Sequence, residues 1–127
     1  MKLGYLIRGL PGHPLHPPLT DATIGIYTFA TIAALADVTG ISNNAATHGW
    51  WLALLAGLIV TVPTALSGLA DWLTIEWGTE LWKTATLHLT AMVSATVFFG
   101  IAALTGHSSF KEGNVHAGQF VLTVIGF

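Results

Sequence analysis

The run from Trp50 to Leu73 carries no charged side chain before Asp71. A stretch like this fits the middle of a large soluble core or a bilayer. The flanking segments decide between them. Leu19–Val38 has Asp21 near its start and Asp37 near its end, and Thr84–Leu104 lies between Lys83 and Gly106. Each approaches the ~20 residues an apolar helix needs to cross the hydrocarbon core. Backbone in lipid must satisfy its own hydrogen bonds, so each segment reads as helix. Strand-like alternation is absent. Charged residues make up 8% of the 127 residues, against about 25% in soluble domains. Four basic and six acidic side chains could not cover a water-soluble surface of this size. The expected fold is an all-α integral membrane bundle, one transmembrane domain over residues 1–127.

The fourth apolar segment, VHAGQFVLTVIGF, begins at Val115 and is still apolar at Phe127. Its rise of about 20 Å is too short to span. We expect a helix cut short by the end of the given chain, rather than a re-entrant one. The expected bundle thus has three full spans, at about 19–38, 50–73 and 84–104, and an incomplete fourth at 115–127. Ahead of the first span, LGYLIRGL could form a short interfacial piece. It is too short, and too soon followed by Arg8 and Pro11, for a cleavable signal.

Several residues should shape the packing. Gly40 and Gly106 read as helix stops. Pro63 should kink the second span, with Thr61 or Thr64 satisfying the carbonyl it frees. Gly25, Ala33, Gly57, Ala65 and Gly68 permit close helix approach. His88, Met92, Ala95 and Phe99 share one helix face, which reads first as packing surface. Trp50 and Trp51 open the second span, and Trp72, Trp77 and Trp82 cluster at its far end. We read all five as interfacial belts.

Three crossings define two sides. Side A holds residues 1–20 and the loop 72–83; side B holds loops 39–49 and 106–114. Lys2, Arg8 and Lys83 fall on side A and Lys111 on side B. The positive-inside rule then places the N-terminus in the cytoplasm, for a protein of a bacterial inner membrane.

The polar residues gather at side A. GHPLHPPLTDA (12–22) places His13, His16 and Asp21 at the mouth of the first span. Asp71 falls in the last turn of the second span and His88 near the start of the third. Ionisable groups at membrane depth are costly and point to function. His16 and His88 are therefore the candidate haem or metal ligands, with His13, Asp21 and Asp71 in support. A carboxylate such as Asp71 can orient a ligating imidazole. The alternative for each is structural: a hydrogen-bonded histidine, or Asp21 placed to meet a helix N-terminus. His13-x-x-His16 is a poor chelate because Pro14 and Pro17 disrupt a regular helix there. On side B, Asp37 and His116 could meet at the bundle edge, near His48 and His107.

Other chemistries are excluded. The chain has no cysteine, so it cannot build a thiolate zinc or iron–sulfur site of its own. It contains no nucleophile elbow, phosphate loop or HExxH. A net charge of −2 offers nothing to nucleic acid.

GHPLHP at 12–17, Asp37, SGLADWL at 67–73 and TATLH at 84–88 together resemble a bacterial family of small membrane proteins classed as a domain of unknown function. The resemblance covers nearly the whole chain. It implies four helices, the second ending in Gly-x-x-Asp and the third beginning near a histidine. Some members are fused to Rieske-type iron–sulfur domains, which implies a redox setting. Two departures matter. Thr23 in ATIG stands where the family has proline, and the family's Gly-rich, His-containing end of the fourth helix lies beyond Phe127.

Three functions fit these readings. The first is an accessory or structural subunit of a larger redox-linked membrane complex, respiratory or photosynthetic, with the bilayer and other subunits as partners. The second is an electron-transfer subunit holding haem b or a metal through His16 and His88. The third is a small transporter or a proton- or quinone-handling protein. None of them requires the chain to be an enzyme by itself.

Overall fold

The structure is a computed structural model that describes Ile7, Gly9, Leu10 and residues 12–127. Most of LGYLIRGL, with Lys2 and Arg8, lies outside the described residues. Two short strands, β1 (Gly9–Leu10) and β2 (His13–Pro14), pair antiparallel, with Leu10 opposite His13. Four helices follow: α1 (His16–Val38), α2 (Asn43–Trp72), α3 (Glu80–Glu112) and α4 (Ala117–Gly126). The first three are long and apolar enough to cross a membrane, and α4 is shorter. This is the expected all-α membrane bundle. Each helix packs on the next in sequence, and α4 closes the ring against α1.

The helices are longer than the apolar runs, for local reasons. α1 starts at His16 because Pro17 lies in the first turn, where its missing N–H would have no helical partner. Asp21 consequently sits in the second turn, exposed and away from the helix N-terminus. α2 begins about two turns before Trp50. α3 runs through Gly106 and stops at Gly113, whose φ of +73° suits a glycine C-cap. Gly106 serves close approach instead: a Cβ there would lie 2.7 Å from the Trp50 ring and 2.8 Å from the Trp51 ring.

Trp50 therefore is not an interfacial residue. It is fully buried and donates from Nε1 to the Thr123 hydroxyl of α4 at 2.9 Å. The belt reading holds for side A, where Trp72, Trp77 and Trp82 cluster and Trp77 is exposed. The core occupies the side-B half and the middle of the bundle. Ala30, Ala33 and Ala34 of α1, Ala53 of α2 and Ala102 and Ala103 of α3 let the backbones close. Tyr27 and Phe99 stack at 3.8 Å across it.

Pro63 stays inside α2. The carbonyl it cannot serve is that of Ile59, four residues back. Thr61 and Thr64 instead donate to Gly57 and Val60, each at 2.8 Å, so they do not fill that role. Their hydroxyls bridge helices: Tyr27 meets Thr61, and Thr23 meets Thr64, both at 3.0 Å.

Candidate functional site: a membrane-level groove

A groove of about 260 Å³ opens on side A between α1, α2 and the first half of α3. His16, Asp71 and His88 all line it, one from each helix. The sequence reading set His16, Asp21, Asp71 and His88 at one level, and the groove gathers His16, Asp71 and His88 without Asp21. His13 and Asp21 do not line the groove; both are exposed, His13 within β2. His13 and His16 thus belong to a strand and a helix. Among the described residues no cluster of three or more His, Asp or Glu could hold a metal ion.

His16 is anchored. Its ring lies on Gly68, where a Cβ would come within 2.6 Å. Nδ1 lies 3.1 Å from the Thr64 carbonyl and 3.2 Å from the Ser67 hydroxyl. A carbonyl only accepts, so Nδ1 is the donor in this arrangement. The Thr20 hydroxyl, 3.5 Å from Nε2, donates to the His16 carbonyl at 3.0 Å. Sequence reading missed Thr64 and Ser67 as the partners of His16. The readable signal was Gly68, the small residue against which a ring could lie.

Asp71 and His88 differ. The Asp71 side chain is half-buried and that of His88 is exposed. Neither has a hydrogen-bond or ion-pair partner among the described residues. The deeper lining looks polar by name but behaves as apolar. Thr61 and Thr96 return the hydroxyl proton to the carbonyl four residues back, and the Thr23 and Thr64 hydroxyls divide their two protons between such carbonyls and the bond they make to each other, so all four hydroxyls are engaged within the protein. The groove combines an apolar floor, small residues Ala65, Gly68 and Ala85, and two open ionisable side chains at its rim.

Side B is built differently. Asp37 is buried and holds three elements together. One carboxylate oxygen accepts from the Thr47 hydroxyl of α2, the other from the Val115 amide at 2.7 Å, just before α4. His116 instead pairs with Glu112 at 3.0 Å, so the expected meeting of Asp37 with His116 does not occur. Gln119 accepts from Ser109 at 2.6 Å and from the His116 amide at 3.0 Å, and donates to the Thr105 carbonyl at 2.8 Å. His48 bonds the Phe110 carbonyl at 2.9 Å, and His107 lies against Trp51. These residues are engaged in packing.

A family model described as "Predicted membrane protein (DUF2231)" matches residues 12–126. No curated protein and no solved structure matches the chain.

Proposed function

The chain belongs to the DUF2231 family of predicted membrane proteins, and from that premise we propose that it is a non-catalytic subunit of a larger membrane assembly, attached through the side-A groove. One observation carries the reading: Asp71 and His88 stand, among the described residues, without partners at the rim of a groove at membrane level. Ionisable side chains at membrane depth normally face a partner or a water-filled cavity. A subunit that leaves two of them open at a helix-packing groove is shaped for completion by another membrane component. The redox setting, respiratory or photosynthetic, rests on the resemblance to members fused to Rieske-type domains. The placement in a bacterial inner membrane with the N-terminus in the cytoplasm rests on Lys2, Arg8 and Lys83 against Lys111. Extraction in mild detergent followed by native size analysis tests the proposal. It predicts a stoichiometric complex much larger than 13.4 kDa; a chain that runs alone from its native membrane contradicts it.

A haem or metal reading keeps one observation in its favour, that His16 and His88 line the same cavity. The fit is poor. About 260 Å³ is below the ~300 Å³ at which pockets begin to enclose drug-sized ligands, and a haem is larger than these. α1 and α3 would have to part. An absorption spectrum of the native complex decides: a Soret band lost in both His16→Ala and His88→Ala supports haem ligation, and its absence from the wild type ends it.

A further inference from the structure

Pro63 leaves one backbone group of α2 without its helical partner. The Ile59 carbonyl lies one turn earlier and would accept from the N–H that proline lacks. α2 stays α-helical from Asn43 to Trp72, so no tightened or widened turn offers another amide. The nearest hydroxyls, on Thr61 and Thr64, donate to Gly57 and Val60. Ile59 lies just past the middle of the 30-residue helix and is 71% exposed, and Pro63 is exposed beside it. The carbonyl therefore opens outward at mid-membrane depth. Lipid tails have no donor for it, and an unsatisfied carbonyl in hydrocarbon is costly.

The face around it is patterned. Gly49, Ala56 and Pro63 recur every seventh residue, and Leu52, Ile59 and Leu66 recur at the same spacing three residues later. The three large residues are all more than half exposed. Lipid asks only for apolar surface. Small and large residues at alternate steps of three and four form the repeat by which two helices wind around each other. The small ones let the backbones approach. α4 packs on α1 and α3 and meets α2 at Trp50, which is buried on the inner side. The course of α4 thus does not bear on this face.

The carbonyl and the repeat together select the occupant. A second copy enters the membrane in the same orientation, so a two-fold pairing sets each residue of the repeat opposite itself. The two Ile59 carbonyls then meet at one depth near the axis. A water molecule there has one proton for each. We propose that the protein forms a two-fold dimer through this face of α2, with a water shared between the paired Ile59 carbonyls. The contact goes beyond the subunit reading above and does not rest on it, because the groove uses another face of α2.

The chain has no native cysteine, so the test is a disulfide scan of the full chain in its native membrane, oxidised with copper phenanthroline. Leu52→Cys, Ala56→Cys, Ile59→Cys and Leu66→Cys should each give a band of twice the chain mass. Val62→Cys and Leu69→Cys, exposed but off the repeat, should stay monomeric. Two further changes are made in the Ile59→Cys chain. Ala56→Leu puts bulk between the backbones and should lower the dimer yield about five- to hundredfold, the range of an overpacked contact. Pro63→Ala gives the Ile59 carbonyl its own amide and should lower the yield about three- to twentyfold, the worth of one interhelical hydrogen bond in a bilayer. Equal yields at every position, or none at any, overturn the dimer, as does an adduct with another protein. A yield unmoved by Pro63→Ala overturns the shared water. A dimer found where no larger complex purifies leaves this inference standing and the subunit reading fallen.

Discussion

Asp37→Ala should open the side-B end of the bundle. Asp37 is 4% exposed, Thr47 0% and Val115 4%, so the three groups meet away from water and lipid. Two hydrogen bonds to one carboxylate are lost, each worth about 1.5–3 kcal/mol for a charged acceptor. Interhelical hydrogen bonds in membranes average nearer 0.6 kcal/mol, because the unfolded chain finds other partners in the bilayer. Here one donor is the Val115 backbone amide at the entry to α4, and losing its acceptor strands a buried N–H. Weighing these, we expect a loss of about 2–4 kcal/mol. Asp37→Asn keeps one acceptor and turns an NH₂ toward the other donor, so it should cost about half as much. The assay is an SDS titration of the protein in dodecylmaltoside, followed by tryptophan fluorescence. Asp37→Ala melting within about 0.5 kcal/mol of wild type, inside the usual range of a surface substitution, would refute the three-way clamp.

The other predictions concern packing and the groove. Trp50→Phe loses the bond to Thr123 and should destabilise by about 1 kcal/mol in the same titration, with the most blue-shifted part of the emission removed. Gly106→Val drives a side chain into the Trp50 and Trp51 rings and should cost about 1–3 kcal/mol by overpacking; a neutral result would place those rings elsewhere. Gly68→Ala should push the His16 ring off Thr64 and Ser67, seen as a changed tautomer pattern in the imidazole ¹⁵N spectrum. His13→Ala and Asp21→Ala should leave both stability and complex size unchanged, because neither side chain lines the groove.

The spans were legible because uncharged runs of membrane length admit few folds. Their ends were less so. Gly106 reads as a stop in sequence, yet it is a contact point for two indoles, and α3 passes straight through it. Trp50 at the head of an apolar run looks the same whether it faces the interface or the core. Only the two turns of helix before it, and Thr123 on a distant segment, place it inside. For the site, Asp71 and His88 could be set by counting turns from the loop they share, and His16 by its position before α1. The partners of His16 and Asp37 could not. Apart from the Thr47 hydroxyl, 10 residues from Asp37, they are a carbonyl, a hydroxyl and a backbone amide, groups present in every segment, and these lie 48, 51 and 78 residues away along the chain.

The central claim is that the groove is a helix-binding surface and not a lipid-facing one. The chain has no native cysteine, so single nitroxides can be placed at will through Met92→Cys in the groove and Val97→Cys on the exposed face. Collision with dissolved oxygen is then measured in the native membrane and in purified nanodiscs. The account predicts a Met92 label shielded in the native membrane and released on purification, with the Val97 label open in both. Equal exposure of the two labels in the native membrane would contradict it.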